Sequence, residues 1–170
     1  MGYSTKFYGR FDLDRPLTPE QSAYLTRFSH TRRMGRIQVM LADRPDPERH
    51  AVGLPLGDEG EYFVGGEDRD AYLLPEEPDD FSVLDDSEPP PSQPGLWCDW
   101  VPTVGGWGIE WNGAEKFYGP EAWLYYLIQH FLRPWGYRLN GLVKLRGDDP
   151  DDRGSIEVVD NRLLDYDAPS

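Results

Sequence analysis

Residues 120–146 read PEAWLYYLIQHFLRPWGYRLNGLVKLR. Their apolar residues recur every three or four positions from Trp123 to Leu132, which is the period of a helix with one buried face. A proline suits the first helical position, and Pro134 with Gly136 predicts the helix end. From Tyr137 to Arg146 the pattern changes to strict alternation, which is typical of a strand. The stretch therefore predicts a helix that is followed at once by a strand.

The N-terminal segment predicts a second strand and a second helix. Apolar and polar residues alternate from Tyr3 to Leu13, which indicates a strand with one buried face. Thr18 is a suitable N-cap and a proline follows it, so we expect a helix from about Pro19 to Arg33.

Three further strands complete the pattern. Residues 96–101 and 108–112 look like two strands joined by a hairpin connection, and residues 148–154 turn the chain into a strand at 155–159. This order predicts a single α+β domain over residues 1–170. We expect a two-layer sandwich of a mostly antiparallel sheet with two helices on one face, similar to a split β-α-β unit with an extra C-terminal strand.

The formal net charge of −14 is concentrated in the middle of the chain. Residues 1–50, 51–100 and 101–170 carry net charges of +3, −13 and −4. The middle third is also rich in proline and glycine, so we predict a solvated, acidic insert at about 51–95. A chain this acidic has no general attraction to nucleic acid or to anionic membranes, and both are excluded as general partners.

The acidic chain also contains two groups of basic residues. One lies near the end of the first predicted helix and the other on one face of the strand after the second helix. They comprise Arg27, Arg32, Arg33 and Arg36, and Arg138, Lys144 and Arg146. Each group is interpreted either as a dock for the chain's own acidic insert or as a site for an acidic partner or a phosphorylated ligand.

All six tryptophans lie between residues 97 and 135. Four of them, Trp97, Trp100, Trp107 and Trp111, fall on or near the predicted hairpin and are candidate ligand- or partner-binding residues. They form either an aromatic platform for stacking or a structural cluster. In the structural interpretation, Trp97 pairs with Trp111, or Trp100 with Trp107, across the two strands.

A polar segment follows the hairpin at the predicted strand-to-helix junction. Glu110, Glu115, Lys116 and Tyr118 are candidates for a small site that binds a sugar or a nucleotide. The alternative is that Glu115 interacts with the N-terminal end of the second helix while Lys116 is solvated.

The sequence predicts neither a metal nor a cofactor. The single cysteine, Cys98, forms no intramolecular disulfide, and residues 148–154 fit a hairpin turn better than a calcium loop, because Arg153 and Asp160 stand where ligands are required. No nucleotide-binding or serine-hydrolase fingerprint is present. The N-terminus lacks a signal peptide and no segment is apolar enough to span a bilayer, so we expect a cytoplasmic protein.

Five segments of the chain resemble one group of proteins. Met1–Thr5, Asp14–Thr18, Ile109–Tyr118, Trp135–Gly141 and Asp149–Asn161 are similar to small proteins of unassigned activity from phages and high-GC bacteria. The resemblance covers both ends of the chain and leaves the acidic insert unmatched. It implies an accessory protein acting in the cytoplasm of a bacterial host, and it implies no catalytic residues.

Three functions are compatible with these patterns. The first is a non-enzymatic accessory factor that binds a protein of a bacterial host. The second is a small enzyme or binding protein for a sugar or nucleotide, which would use the segment around Glu115. The third is an acidic DNA mimic that occupies the nucleic-acid site of a defence protein.

Overall fold

The computed structural model describes residues 4–65 and 81–167 of the chain. Its strands are β1 Thr5–Tyr8, β2 Phe11–Leu13, β3 Gly35–Arg36, β4 Val83–Asp85, β5 Trp100–Pro102, β6 Gly108–Trp111, β7 Leu139–Gly147, β8 Arg153–Val159 and β9 Arg162–Leu163. Its helices are α1 Pro19–His30, α2 Gln38–Leu41, α3 Pro47–Ala51, α4 Pro120–Leu127 and α5 Arg133–Trp135. Single helical turns lie at Asp58–Gly60, Val104–Gly106 and Ile128–Leu132.

The predicted α+β class with a mostly antiparallel sheet is confirmed. The main sheet has the order β5-β6-β2-β7-β8-β9, and β1 also pairs with β7. The chain divides into two compact units, of which the first is Met1–Thr18 with Asp99–Ser170 and the second is Pro19–Cys98. The single-domain organisation stays a prediction. None of the described helices is long and apolar enough to cross a bilayer.

In the first unit, β1 and β2 pair with β7 in one continuous antiparallel register. The pairing is interrupted at Gly9, whose φ of +101° favours glycine, and where a Cβ would lie 3.0 Å from the backbone oxygen of Leu142. The predicted first strand is therefore present as two short segments. Its first residue, Tyr3, lies outside the described residues.

The helical segment α4 and the turn after it supply the apolar side of the first unit. Trp123, Leu124, Phe131 and Leu132 are fully buried there, as the periodicity of the sequence predicts. The turn at Ile128–Leu132 is π-helical, and the helix continues through Pro134 and ends at Gly136, whose φ is +83°.

The strand β9 was not predicted. Asn161, with a φ of +68°, lies in the turn between β8 and β9. Its side-chain oxygen accepts a hydrogen bond from the Leu139 N–H (2.7 Å), and its side-chain nitrogen donates to the Tyr137 carbonyl (2.7 Å). One buried amide thus fixes the start of β7 against the last turn of the sheet.

The second unit is organised around buried arginines. α1 ends at His30, three residues earlier than predicted, and Arg33 and Arg36 follow it as buried residues. Arg33 donates to the carbonyls of Phe63 (2.8 Å) and Glu61 (2.5 Å), and Arg36 donates to the hydroxyl of Ser82 (3.1 Å).

These bonds connect the basic group of the sequence to the described part of the acidic insert. Arg27 adds a third donor, to the Val64 carbonyl at 2.9 Å. The expected docking of the insert is therefore present over its described residues, and much of it runs through backbone oxygens. Residues 66–80 of the predicted insert lie outside the described residues.

Candidate functional site

The first unit contains a buried aromatic cluster on the inner side of the β5–β6 hairpin. Trp100 is 1% exposed, and its ring centroid lies 5.7 Å from Phe7 and 5.3 Å from Phe117. Trp111 lies 5.2 Å from the same Phe7 ring. Trp100 also donates its indole N–H to the Pro120 carbonyl at 2.8 Å, so the cluster connects the hairpin to the start of α4.

The structure corrects the expected pairing of the tryptophans. Trp100 and Trp111 lie directly opposite each other across β5 and β6, so both predicted pairs, Trp97 with Trp111 and Trp100 with Trp107, are wrong. Trp97 is half-buried and belongs to the second compact unit. Trp107 lies outside the strands, in the turn of the hairpin.

We call this turn, residues 103–107, the hairpin tip. Backbone hydrogen bonds hold its conformation. Thr103 and Gly108 are joined by a backbone hydrogen bond of 2.9 Å. The carbonyls of Gly106 and Trp107 accept bonds from the N–H groups of Leu17 (2.9 Å) and Leu13 (2.8 Å). The tip is therefore closed on itself and also tied to the segment after β2.

Two apolar side chains project from the hairpin tip. Val104 is 100% exposed and Trp107 is 55% exposed. Between them, Gly105 and Gly106 have φ values of +83° and +77°, in the region that favours glycine. The tip thus presents an aliphatic and an indole side chain on a hydrogen-bonded backbone, and tryptophan is one of the residues enriched at protein-binding hot spots.

The candidate polar residues lie in other positions. Glu115, Lys116 and Tyr118 are exposed on the loop between β6 and α4, with Tyr118 at 75% exposure. Glu110 is half-buried within β6. The loop is anchored by Phe117, which packs in the aromatic cluster, while the side chains expected to contact a ligand point outward.

Two pKa shifts belong to the second unit. Burial raises the pKa of Tyr62 to about 12, and the neighbouring Glu61 carboxylate adds to the shift. Hydrogen bonds from the Ser87 hydroxyl (2.7 Å) and N–H (2.8 Å) lower the pKa of the exposed Asp85. Neither residue is part of the hairpin tip, so neither pKa shift affects the chemistry of that surface.

The described ranges contain no group of three His, Cys, Asp or Glu side chains that could hold a metal ion. The predicted turn between β7 and β8 is confirmed, and two of its carboxylates accept hydrogen bonds within the chain. Asp148 accepts from Ser4, and Asp149 accepts from the N–H of Asp151.

The chain matches no protein-family model, no curated protein and no solved structure.

The sequence pointed to Trp107 but not to Val104, three residues earlier in the same turn. Val104 looked like part of an ordinary hairpin connection, because a valine next to two glycines carries no binding motif. The paired glycines were the available signal, since they permit the two consecutive positive φ values that expose both side chains.

Gly105→Ala should test the rigidity of the hairpin tip. A Cβ at this position would lie 3.5 Å from Cδ1 of Trp107, an ordinary contact, so the cost arises from the positive φ. We expect the free energy of unfolding to fall by about 1–2 kcal/mol in urea denaturation. The matched control is Gly154→Ala, which has open space and no positive φ, and an equal loss in both variants would contradict the prediction.

Proposed function

We propose that the protein is a non-enzymatic accessory factor that binds a protein partner through the hairpin tip. The observation that carries this proposal is the exposure of Val104 and Trp107 on a turn whose backbone is already ordered. Burying one such aliphatic side chain contributes about 1.5–3 kcal/mol. Because the turn is rigid, little of that gain is lost to ordering on binding.

The partner that fits this surface has an apolar cleft that accepts an indole ring and a valine side chain. Tryptophan is among the residues most enriched at the centres of protein interfaces. Five segments of the sequence were interpreted as similar to small phage and high-GC bacterial proteins, and on that interpretation we propose that the partner is a bacterial host protein and that the accessory factor acts in the host cytoplasm.

The small-molecule interpretation has less support. Sites for small ligands are concave and bury most of the ligand surface. Glu115, Lys116 and Tyr118 are exposed on a loop, which offers a sugar or nucleotide little enclosure.

DNA mimicry also has less support. Seven of the fourteen acidic residues between positions 51 and 100 fall at 66–80, outside the described residues. Among the other seven, Glu61 and Asp99 are buried, and the Asp85 carboxylate accepts hydrogen bonds from Ser87, so these three do not contribute to the row of free carboxylates that mimicry needs.

Trp107→Ala is the variant that tests the proposal. Affinity capture from a bacterial lysate, with the wild type, Trp107→Ala and Tyr118→Ala compared, would select a protein that depends on the tip. With that protein purified, calorimetry should show binding weakened by about 30-fold or more in Trp107→Ala.

The control is matched in chemistry, because Tyr118 is an exposed aromatic residue on a different loop. We expect Tyr118→Ala to bind as the wild type does, and circular dichroism should show that both variants are folded. The proposal fails if Trp107→Ala binds every captured protein with wild-type affinity. If Tyr118→Ala alone loses binding, the protein-binding surface is the loop between β6 and α4 and not the hairpin tip.

A further inference from the structure

The first unit has a second exposed surface, on the open side of its sheet. Side chains at alternate positions of β1, β7 and β8 are exposed there, while Phe7, Val143 and Ile156 between them are buried. We use the name cationic sheet face for five of the exposed residues, which are Lys6, Tyr8, Lys144, Arg146 and Arg153.

The register brings like charges together on this face. Lys6 lies directly opposite Arg146 on β7, and Arg146 lies directly opposite Arg153 on β8. Like charges in directly opposed positions destabilise a sheet. Within the described ranges, Lys6 and Arg146 have no ion pair and no side-chain hydrogen bond, and the same is true of Lys144. The row therefore lowers the stability of the isolated fold, and an anionic ligand would relieve it.

An aromatic side chain lies within the same face. Tyr8 is 51% exposed and lies directly opposite Lys144. Leu142, two residues further along β7, is 44% exposed. The face therefore combines cations with an aromatic ring, and of these residue types arginine and tyrosine are enriched at protein interfaces whereas lysine is depleted.

Acidic residues flank the cationic sheet face at both ends, and they limit the length of an anionic ligand that the face can accept. Beyond the cation row, Asp148 lies in the turn between β7 and β8. In the opposite direction, Glu157 lies across from Leu142, and Asp12 forms an ion pair of 3.2 Å with Arg10. A long polyanion such as nucleic acid would run over these carboxylates, whereas a short acidic segment would avoid them.

We infer that the cationic sheet face binds a short acidic segment of a partner protein in an extended conformation. Side chains two residues apart on a strand are about 6.5–7 Å apart, so carboxylates at alternate positions of an extended ligand repeat with the same spacing as Lys6 and Tyr8. One carboxylate would meet the row of Lys6 and Arg146, and the next would meet Lys144.

The inference builds on the proposed protein-binding function but uses a separate surface. The hairpin tip is bonded to Leu13, which is five residues along the chain from Tyr8, the nearest residue of the face on that segment, or at most about 17 Å at the rise of an extended chain. A variant of the tip should therefore leave binding to the sheet face unchanged, and the two ideas can fail independently.

The test uses the peptide acetyl-Glu-Thr-Glu-Thr-Glu-amide as the probe and the full chain labelled with nitrogen-15. At an ionic strength of about 0.15 M, we expect the amide signals of Lys6, Tyr8, Lys144 and Arg146 to shift on titration. The corresponding peptide with glutamine in place of glutamate should leave these signals unchanged, because its backbone is the same and its charge is removed.

Charge reversal on the face gives the decisive comparison. We expect Arg146→Glu, in the middle of the cation row, to weaken peptide binding by about tenfold or more. The matched control is Arg138→Glu, an exposed cation just before β7. It should change the affinity by less than about twofold, and Trp107→Ala should have no effect.

Three results would overturn the inference. The first is an absence of shifts on the sheet face at saturating peptide, and the second is an equal loss of affinity in Arg138→Glu, which would indicate attraction to charge in general. The third is tighter binding of a thymidine tetranucleotide than of the peptide at the same residues, which would assign the face to nucleic acid. A loss of peptide binding in Trp107→Ala would show that the two surfaces are not separate.

Discussion

Replacing Trp100 with alanine should lower the free energy of unfolding by about 3–5 kcal/mol. The side chain is 1% exposed and touches Phe7, Phe11 and Phe117, with ring centroids 5.3–5.7 Å away. The substitution would leave a cavity at the centre of this cluster. It would also remove the hydrogen bond to the Pro120 carbonyl, which is partly buried.

The chain supplies its own control for this prediction. Trp107→Ala removes the same side chain from a position that is 55% exposed, so we expect a loss of less than about 1 kcal/mol. Urea denaturation followed by far-ultraviolet circular dichroism compares the two without relying on tryptophan emission. Equal destabilisation by both substitutions would show that Trp100 does not hold the hairpin to α4.

The contrast between these two tryptophans shows where sequence reasoning succeeded and where it failed. Alternation and turn residues predicted a hairpin between the two strands, and it is present as β5 and β6. The register of the two strands carried no such signal, because the predicted strands at 96–101 and 108–112 leave the cross-strand partners open. Because residues 103–107 all belong to the turn, Trp107 falls outside the ladder and Trp100 pairs with Trp111 instead.

The helix after the hairpin shows a different limit. Its apolar period predicted the buried face, but the period cannot distinguish an α-helical turn from the π-helical one at Ile128–Leu132. Proline in a helix lacks an N–H donor and its ring clashes with the carbonyl four residues earlier. A wider turn just before Pro134 relieves both problems, which explains why the helix continues to Trp135.

The candidate site was only partly visible in the sequence. Trp107 was among the candidate residues, but the same list contained Trp100, which is a core residue, and Trp97, which lies in the second unit. Aromatic content alone does not separate a buried indole from an exposed one. That separation depends on backbone geometry, here the consecutive positive φ values of Gly105 and Gly106.

The arginines of the second unit were the least predictable feature. Their clustering suggested docking of the acidic insert by charge, yet Arg27 and Arg33 donate to three backbone carbonyls, and Arg33 also donates to the side-chain oxygen of Gln93 (3.4 Å). Every residue carries a backbone carbonyl whatever its side chain is, so these contacts leave no trace in the pattern of acidic residues. Their energetic weight must be measured by substitution.

Arg33→Met should destabilise the second unit by about 2 kcal/mol or more, because the buried Phe63 carbonyl and the Gln93 side-chain oxygen lose their donor, and an unpaired buried acceptor costs about 1–3 kcal/mol. The Glu61 carbonyl keeps its hydrogen bond from the Gln93 side-chain nitrogen (2.6 Å). Arg33 is 2% exposed and its guanidinium donates to Phe63 and Glu61 while lying 4.2 Å from the centre of the Phe28 ring. Methionine replaces the aliphatic stem but provides no donor for the two carbonyls. Urea denaturation would give the loss, and amide hydrogen exchange of residues 60–64 would locate it.

Arg32→Met is the matched control, since Arg32 adjoins Arg33 and donates to the Asp86 carbonyl (2.8 Å) from a half-buried, solvated position. Water can replace that bond, so we expect a loss below about 1 kcal/mol. If the two variants are equally stable, the acidic insert is held by charge in general. If only Arg33→Met loses stability and protection, a single guanidinium fixes the insert, and the second unit depends on this polar contact in addition to its buried apolar residues, which include Phe28, Leu41 and Phe63.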